Sequence, residues 1–191
     1  MDLFENLKEN NKQIQEEYSK EISKLEEWSF TKYEQMIFDS SIHCWNENSS
    51  EFDSIIFNKE KLMFFIEDTN DNLFGCYINS KINRCKYKKG SGIRDENAFI
   101  FSIKNNGKSD EMIKMDIKKE LSDSAFTLYT KESDKLFEIG RGCDICIKKE
   151  NNKKLCFNIP QTFKYPEGKE NILTGFKNPF EVKRIIVIQM K

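Results

Sequence analysis

KLMFFIEDTNDNLFGCYIN, residues 61–79, sets an apolar run at 62–66 and a second one, LFGCYI, on either side of the polar tetrad Thr69-Asn70-Asp71-Asn72. Asn and Asp tolerate the left-handed backbone that a tight reversal needs, so the stretch reads as a β-hairpin. Gly75 lies inside the second run. A glycine within a strand signals a bulge or a close approach of another backbone.

Downstream the same texture continues. AFIFSI (98–103) ends at the turn signal Asn105-Asn106-Gly107, and MIKMDI (112–117) alternates as a half-buried strand does. AFTLYT (125–130), LFEIG (136–140), DICIKK (144–149) and LCFNI (155–159) extend the series. The closing FEVKRIIVIQMK alternates and then becomes continuously apolar, which reads as a central strand. Short strands at this spacing, with turn chemistry between them and no βαβ alternation, predict an α+β fold that is mainly antiparallel β: a two-sheet sandwich flanked by helices.

Upstream, residues 2–27 contain no Gly or Pro and are rich in Glu, Lys and Gln. Leu3, Leu7, Ile14, Tyr18, Ile22 and Leu25 recur at helical steps, interrupted at Asn10 and Asn11. This predicts a charged N-terminal unit over 1–27, either a solvated helix leaning on the domain or a short coiled coil pairing two copies, ahead of a domain over 28–191. Phe30, Tyr33, Met36, Ile37 and Phe38 suggest a second short helix, and a polar stretch follows from Asn46 to Asp53.

Composition excludes several function classes. With 31 basic and 32 acidic residues the net charge is −1, so nothing global draws the chain to nucleic acid or anionic membrane. No apolar run approaches the ~18 residues of a membrane span, and the opening MDLFENLKENN has no apolar core of a secretory signal. A cytoplasmic protein is expected, with its six cysteines as free thiols. The sixteen Phe, six Tyr and two Trp can build a core from few residues, because each ring buries a large area.

The densest patch of chemistry-like residues is FEIGRGCDICI, 137–147. Gly140-Arg141-Gly142 lacks the third glycine of a dinucleotide fingerprint, and a strand follows where a helix N-terminus would be required. The glycines are expected to ease a bend. Cys143 and Cys146, with Cys156 ten residues on, are the candidates for metal or redox chemistry. On a regular strand, side chains three apart face opposite ways and cannot share an ion. A zinc site would need a knuckle-like turn and a fourth ligand from Cys44, Cys76, Cys85 or His43. A thioredoxin-like dithiol would need a helix after the CxxC. His43 is the one histidine, so any Cys–His or Ser–His nucleophile must use it. The loop bearing Lys81, Arg84, Lys86, Tyr87, Lys88 and Lys89 could contact phosphates and stack a base, but the balanced charge favours a solvated loop. The expectation is therefore no catalytic set, no cofactor and no metal, with a Cys143/Cys146 redox or zinc protein as the alternative.

The ordered motifs resemble those of the TLDc domain family. IEDTNDNLFGCYINS is similar to the family's strand, polar turn and glycine-bearing F-G-x-Y-like strand, and AFIFSIKNNG to a following F-L-F-S-L strand. LFEIGRGCDICI stands where the family has a G-x-G-x-D approach to a strand. FKYPEGKENILTGFKNPFEVKRIIVIQMK resembles its closing pattern, in which a tyrosine segment leads to L-x-G and a last strand. The likeness spans about residues 30–191. The glycine run is reduced to Gly140 and Gly142, the family's Trp after the F-G strand is missing, and Phe30 to Phe57 align poorly, so the chain looks divergent. The resemblance implies a two-sheet antiparallel sandwich flanked by helices, a non-enzymatic interaction domain, a link to oxidative-stress resistance, and the vacuolar proton-pumping ATPase as a protein partner. It carries no catalytic residues. A homodimer through the N-terminal helix is a further expectation.

Overall fold

The computed structural model describes residues 3–83, 92–108, 111–169, 171–175 and 178–191. Two helices, α1 (Leu3–Glu17) and α2 (Ser19–Ser29), precede β1 (Tyr33–Asp39) and the short α3 (Phe52–Ile56). The hairpin read at 61–79 is β2 (Leu62–Asp68) and β3 (Leu73–Ile78), with Asp71 in the left-handed region at its turn. There follow β4 (Gly92–Ile93), β5 (Phe99–Lys104), β6 (Ile113–Asp116), β7 (Phe126–Leu128), β8 (Lys135–Ile139), β9 (Ile145–Lys148) and β10 (Val182–Met190). They form two wholly antiparallel sheets, ordered β1-β10-β2-β3-β5-β6 and β4-β7-β8-β9. The last strand is internal to the larger sheet, between β1 and β2.

The continuous apolar runs are explained by burial on both faces. Leu62, Phe64 and Ile66 of β2, and Ile185 and Val187 of β10, point between the sheets. Met63, Phe65, Ile186 and Ile188 point the other way and are covered by Ile14, Tyr18, Ile22 and Leu25 of the helix pair. The inter-sheet core is built on rings, with Phe64, Phe126 and Phe137 mutually 5.1–5.6 Å apart between centroids and Phe52 5.3 Å from Phe137.

The stripe from Ile14 to Leu25 is thus occupied by the chain's own sheet. The polar interruption before it also has a use. Asn11 Oδ1 accepts the backbone N–H of Met36 (2.5 Å) and the hydroxyl of Tyr33 (2.9 Å), both on the edge strand β1. A side chain that satisfies an edge amide blocks strand addition there. Among the described residues no helix is long and apolar enough to cross a membrane.

Three local readings differ from the structure. Residues 33–39 are strand where helical spacing was read, and α2 instead stops at Phe30, whose φ is 56°. Register shifts between Tyr33 and Gln35 and between Met36 and Phe38 disrupt the period-two pattern of β1, leaving a spacing that imitates a helix. LCFNI is not a strand: Cys156 and Phe157 make single bridges to Phe180 and Cys146. The polar stretch before Asp53 runs into α3. Arg84, Cys85, Lys86, Tyr87, Lys88 and Lys89 of the basic loop lie outside the described residues.

Gly75 marks a close approach. A Cβ there would sit 1.8 Å from the Phe64 carbonyl oxygen and 2.7 Å from the Phe101 ring. The carbonyl is backbone in the centre of the sheet and cannot swing aside. Gly75→Ala is expected to destabilise the protein by about 2–3 kcal/mol, as overpacking of a tight core does. Urea unfolding measures it, and a loss below about 0.5 kcal/mol would show that the sheet can spread at this point.

Candidate functional site

The turn joining β8 to β9 takes an unusual path. Gly140, Gly142 and Cys143 have φ of 78°, 84° and 70°, three left-handed residues within four positions. At Gly140 a side chain is excluded twice, by the backbone and by Asp144, whose Oδ2 would lie 2.4 Å from a Cβ. The bend turns Asp144 inward, where its carboxylate is fully buried.

Backbone amides hold it there. Asp144 Oδ1 accepts the N–H of Gln161 (2.9 Å) and of Thr162 (2.8 Å), Oδ2 accepts Thr162 again (2.9 Å), and Phe163 N–H reaches Oδ1 at 3.4 Å. Thr162 completes the knot, since its Oγ1 accepts Arg141 N–H (2.7 Å) and donates to Arg141 O (3.1 Å). Asn158 donates to the Asp144 carbonyl. Burial raises the Asp144 pKa and the amides offset that only in part, leaving it above the usual carboxylate value. The G-x-G-x-D motif is therefore a staple between the β8–β9 turn and residues 161–163. Its acid is fully engaged by backbone and is not a free catalytic group.

The thiols depart from the expectation. Cys143 precedes β9 and is left-handed, so strand alternation does not apply to it. Its thiol swings back to the side of Cys146 and donates to Glu138 Oε1 at 3.0 Å. Glu138 and Cys146 are direct cross-strand partners on β8 and β9, which places both side chains on one face of the smaller sheet. One donor atom from each of Glu138, Cys143 and Cys146 lies within 4.8 Å of the other two. Tyr129 donates to Glu138 Oε2 (2.7 Å) and Lys135 Nζ to Oε1.

Cys156 does not join them. It is buried in the inter-sheet core, and its sulfur accepts the N–H of Lys148 at 3.2 Å. Burial, reinforced by the neighbouring Glu138 carboxylate, pushes the Cys143 thiol up to about 11 and Cys146 up further. Burial alone lifts Cys156 to about 12. None of the three is a poised thiolate. His43 stacks on Phe38 at 5.2 Å, and its Nδ1 lies 3.1 Å from the Asp39 backbone nitrogen. Its neighbour Cys44 contacts Ser49 Oγ at 3.2 Å, so the two form no dyad.

Glu138 was missed at the level of sequence. The signal that could have found it is register, because a residue opposite Cys146 in the preceding strand must share its face. Two buried charges were missed as well. Asp39 receives a two-pronged contact from Arg184, Nη2 to Oδ2 at 2.7 Å and Nε to Oδ1 at 3.2 Å. Lys149, 1% exposed, donates to the carbonyls of Thr130 (3.0 Å) and Lys131 (2.5 Å).

A family model described as the TLDc domain matches residues 7–189. No curated protein sequence matches the chain.

Proposed function

Because the chain belongs to the TLDc domain family over nearly its whole length, we infer that it is a non-enzymatic protein-interaction domain, working in the cytoplasm in oxidative-stress resistance or in regulation of the vacuolar proton-pumping ATPase. The family match carries this reading. The chemistry of the turn supports it. Asp144 is tied to backbone, burial raises the thiol pKa values, and the histidine is stacked on the core, so the described residues assemble no nucleophile with its base. Neither nucleic acid nor membrane insertion belongs to this reading.

One surface residue suits docking. Phe30 is 95% exposed, and it caps α2 in a left-handed conformation that a bulky side chain rarely adopts. Trp28 and Tyr77 lie in the same cleft, with Lys114 and Lys164 at its edge. Exposed aromatic anchors of this kind carry much of the energy of protein interfaces.

The test is co-sedimentation of the full chain with purified vacuolar ATPase. Binding is expected, and Phe30→Ser should weaken it at least about tenfold with thermal stability unchanged. No binding at micromolar concentrations would sink the ATPase reading. Binding indifferent to Phe30→Ser would move the contact to another face.

A further inference from the structure

We propose that Glu138, Cys143 and Cys146 form a site for one zinc-type divalent ion, with a fourth coordination position open to solvent or a small ligand. The chain builds the constellation from two independent sources. Cross-strand register supplies Glu138 and Cys146, and the left-handed Cys143 supplies the third donor. A non-glycine residue in that region is disfavoured, and such outliers concentrate where function requires them. Glycine or asparagine would suit the bend itself, so the bend does not account for a cysteine at 143.

The donors already converge. Cys143 Sγ lies 3.0 Å from Glu138 Oε1, and no pair in the triad is separated by more than 4.8 Å. Zinc bonds of about 2.3 Å to sulfur and about 2.0–2.2 Å to oxygen, at tetrahedral angles, call for donor separations of roughly 3.5–3.8 Å. Small side-chain rotations close that gap. Two thiolates with one carboxylate form a soft, trianionic set that suits zinc over magnesium or calcium.

Second partners are in place too. Tyr129 holds Glu138 Oε2 at 2.7 Å and fixes the carboxylate's orientation. Lys135, bonded to Oε1, balances one negative charge once the thiols lose their protons to the metal. Cys143 is half-exposed and gives the ion an entry path, whereas Cys146 is closed off from water. Cys156, facing the core, takes no part.

The experiment uses the full chain, reduced and stripped with a chelator, and titrates it with cobalt(II) as the spectroscopic probe and then with zinc. Expected is one cobalt per chain with a near-ultraviolet thiolate-to-cobalt band, displaced stoichiometrically by zinc. Cys143→Ser should weaken binding by more than about tenfold and halve the band per bound ion. Glu138→Gln should weaken binding while the band per bound ion stays that of two thiolates. Cys156→Ser should change neither. Cys143 is half-exposed, so its variant is expected to fold, and circular dichroism and melting check this. Absence of the band in the wild-type chain, a band untouched by Cys143→Ser, or one lost with Cys156→Ser would each overturn the site.

Discussion

Asp144→Ala is expected to destabilise the protein by about 3–5 kcal/mol, a large part of the roughly 5–15 kcal/mol by which ordinary domains are stable. The substitution removes the acceptor of three backbone amides at Gln161, Thr162 and Phe163. An unmade buried hydrogen bond costs about 1–3 kcal/mol, more than a made one contributes. The alanine leaves the amides of the buried Thr162 and Phe163 without a replacement acceptor, whereas Gln161 is exposed. Asp144→Asn should recover part of the loss, because one amide oxygen can still face Thr162 while its NH2 group opposes another donor. Denaturant unfolding of the two variants measures the order. Equal stability of Asp144→Ala and wild type would show that water or another acceptor serves these amides and that the motif is not a staple.

The second large effect is expected in the larger sheet, where β1 pairs with β10. Arg184→Met should cost about 3 kcal/mol near neutral pH, the lower end for a broken buried pair because Arg184 itself is partly exposed. Asp39 stays behind almost fully buried, with only Ser41 N–H (2.9 Å) and Ser41 Oγ (2.8 Å) against its Oδ1. Burial opposes the charged form of Asp39, but Arg184 and the Ser41 hydrogen bonds prevail and hold its pKa below the ordinary carboxylate value. A depressed native pKa contributes stability that is present above the unfolded value of about 3.9 and is lost as pH falls through the native value. In Arg184→Met the carboxylate has lost its cation, so burial raises its pKa and protonation relieves the strain of the unpaired charge. The gap between wild type and variant should therefore be widest at pH 7 and shrink below about pH 4. Urea midpoints at pH 7 and pH 3.5 check this, and a gap independent of pH would assign the loss to packing of the arginine stem.

Legibility in the sequence followed the range of the interaction. The β2–β3 hairpin, β5 and β10 are visible because each carries its own apolar run and its own turn residues. Gly75 signalled a bulge or a close approach, and the packing against Phe64 and Phe101 decided for the close approach. β1 was obscured by its two register shifts, which depend on the pairing with β10 about 150 residues away. The CxxC was misread for an equally local reason: a single left-handed residue, Cys143, lies outside the strand whose alternation was applied to it. The charged helix was legible as a helix, while the partner of its stripe was not, because a stripe specifies only that something apolar covers it.

The sequence by itself determined the secondary-structure class, the antiparallel layering, the hairpin and the family pattern, since these rest on periodicity and turn chemistry within a few residues. Tertiary structure alone decided which groups meet. Asp144 finds its amides 17–19 positions later, Asp39 finds its arginine 145 positions later, and Glu138 faces Cys146 through strand register. A short-range pattern specifies which face a side chain occupies, but only closing the sheets brings two faces together. Closure is driven by apolar burial that is indifferent to which polar groups it happens to juxtapose.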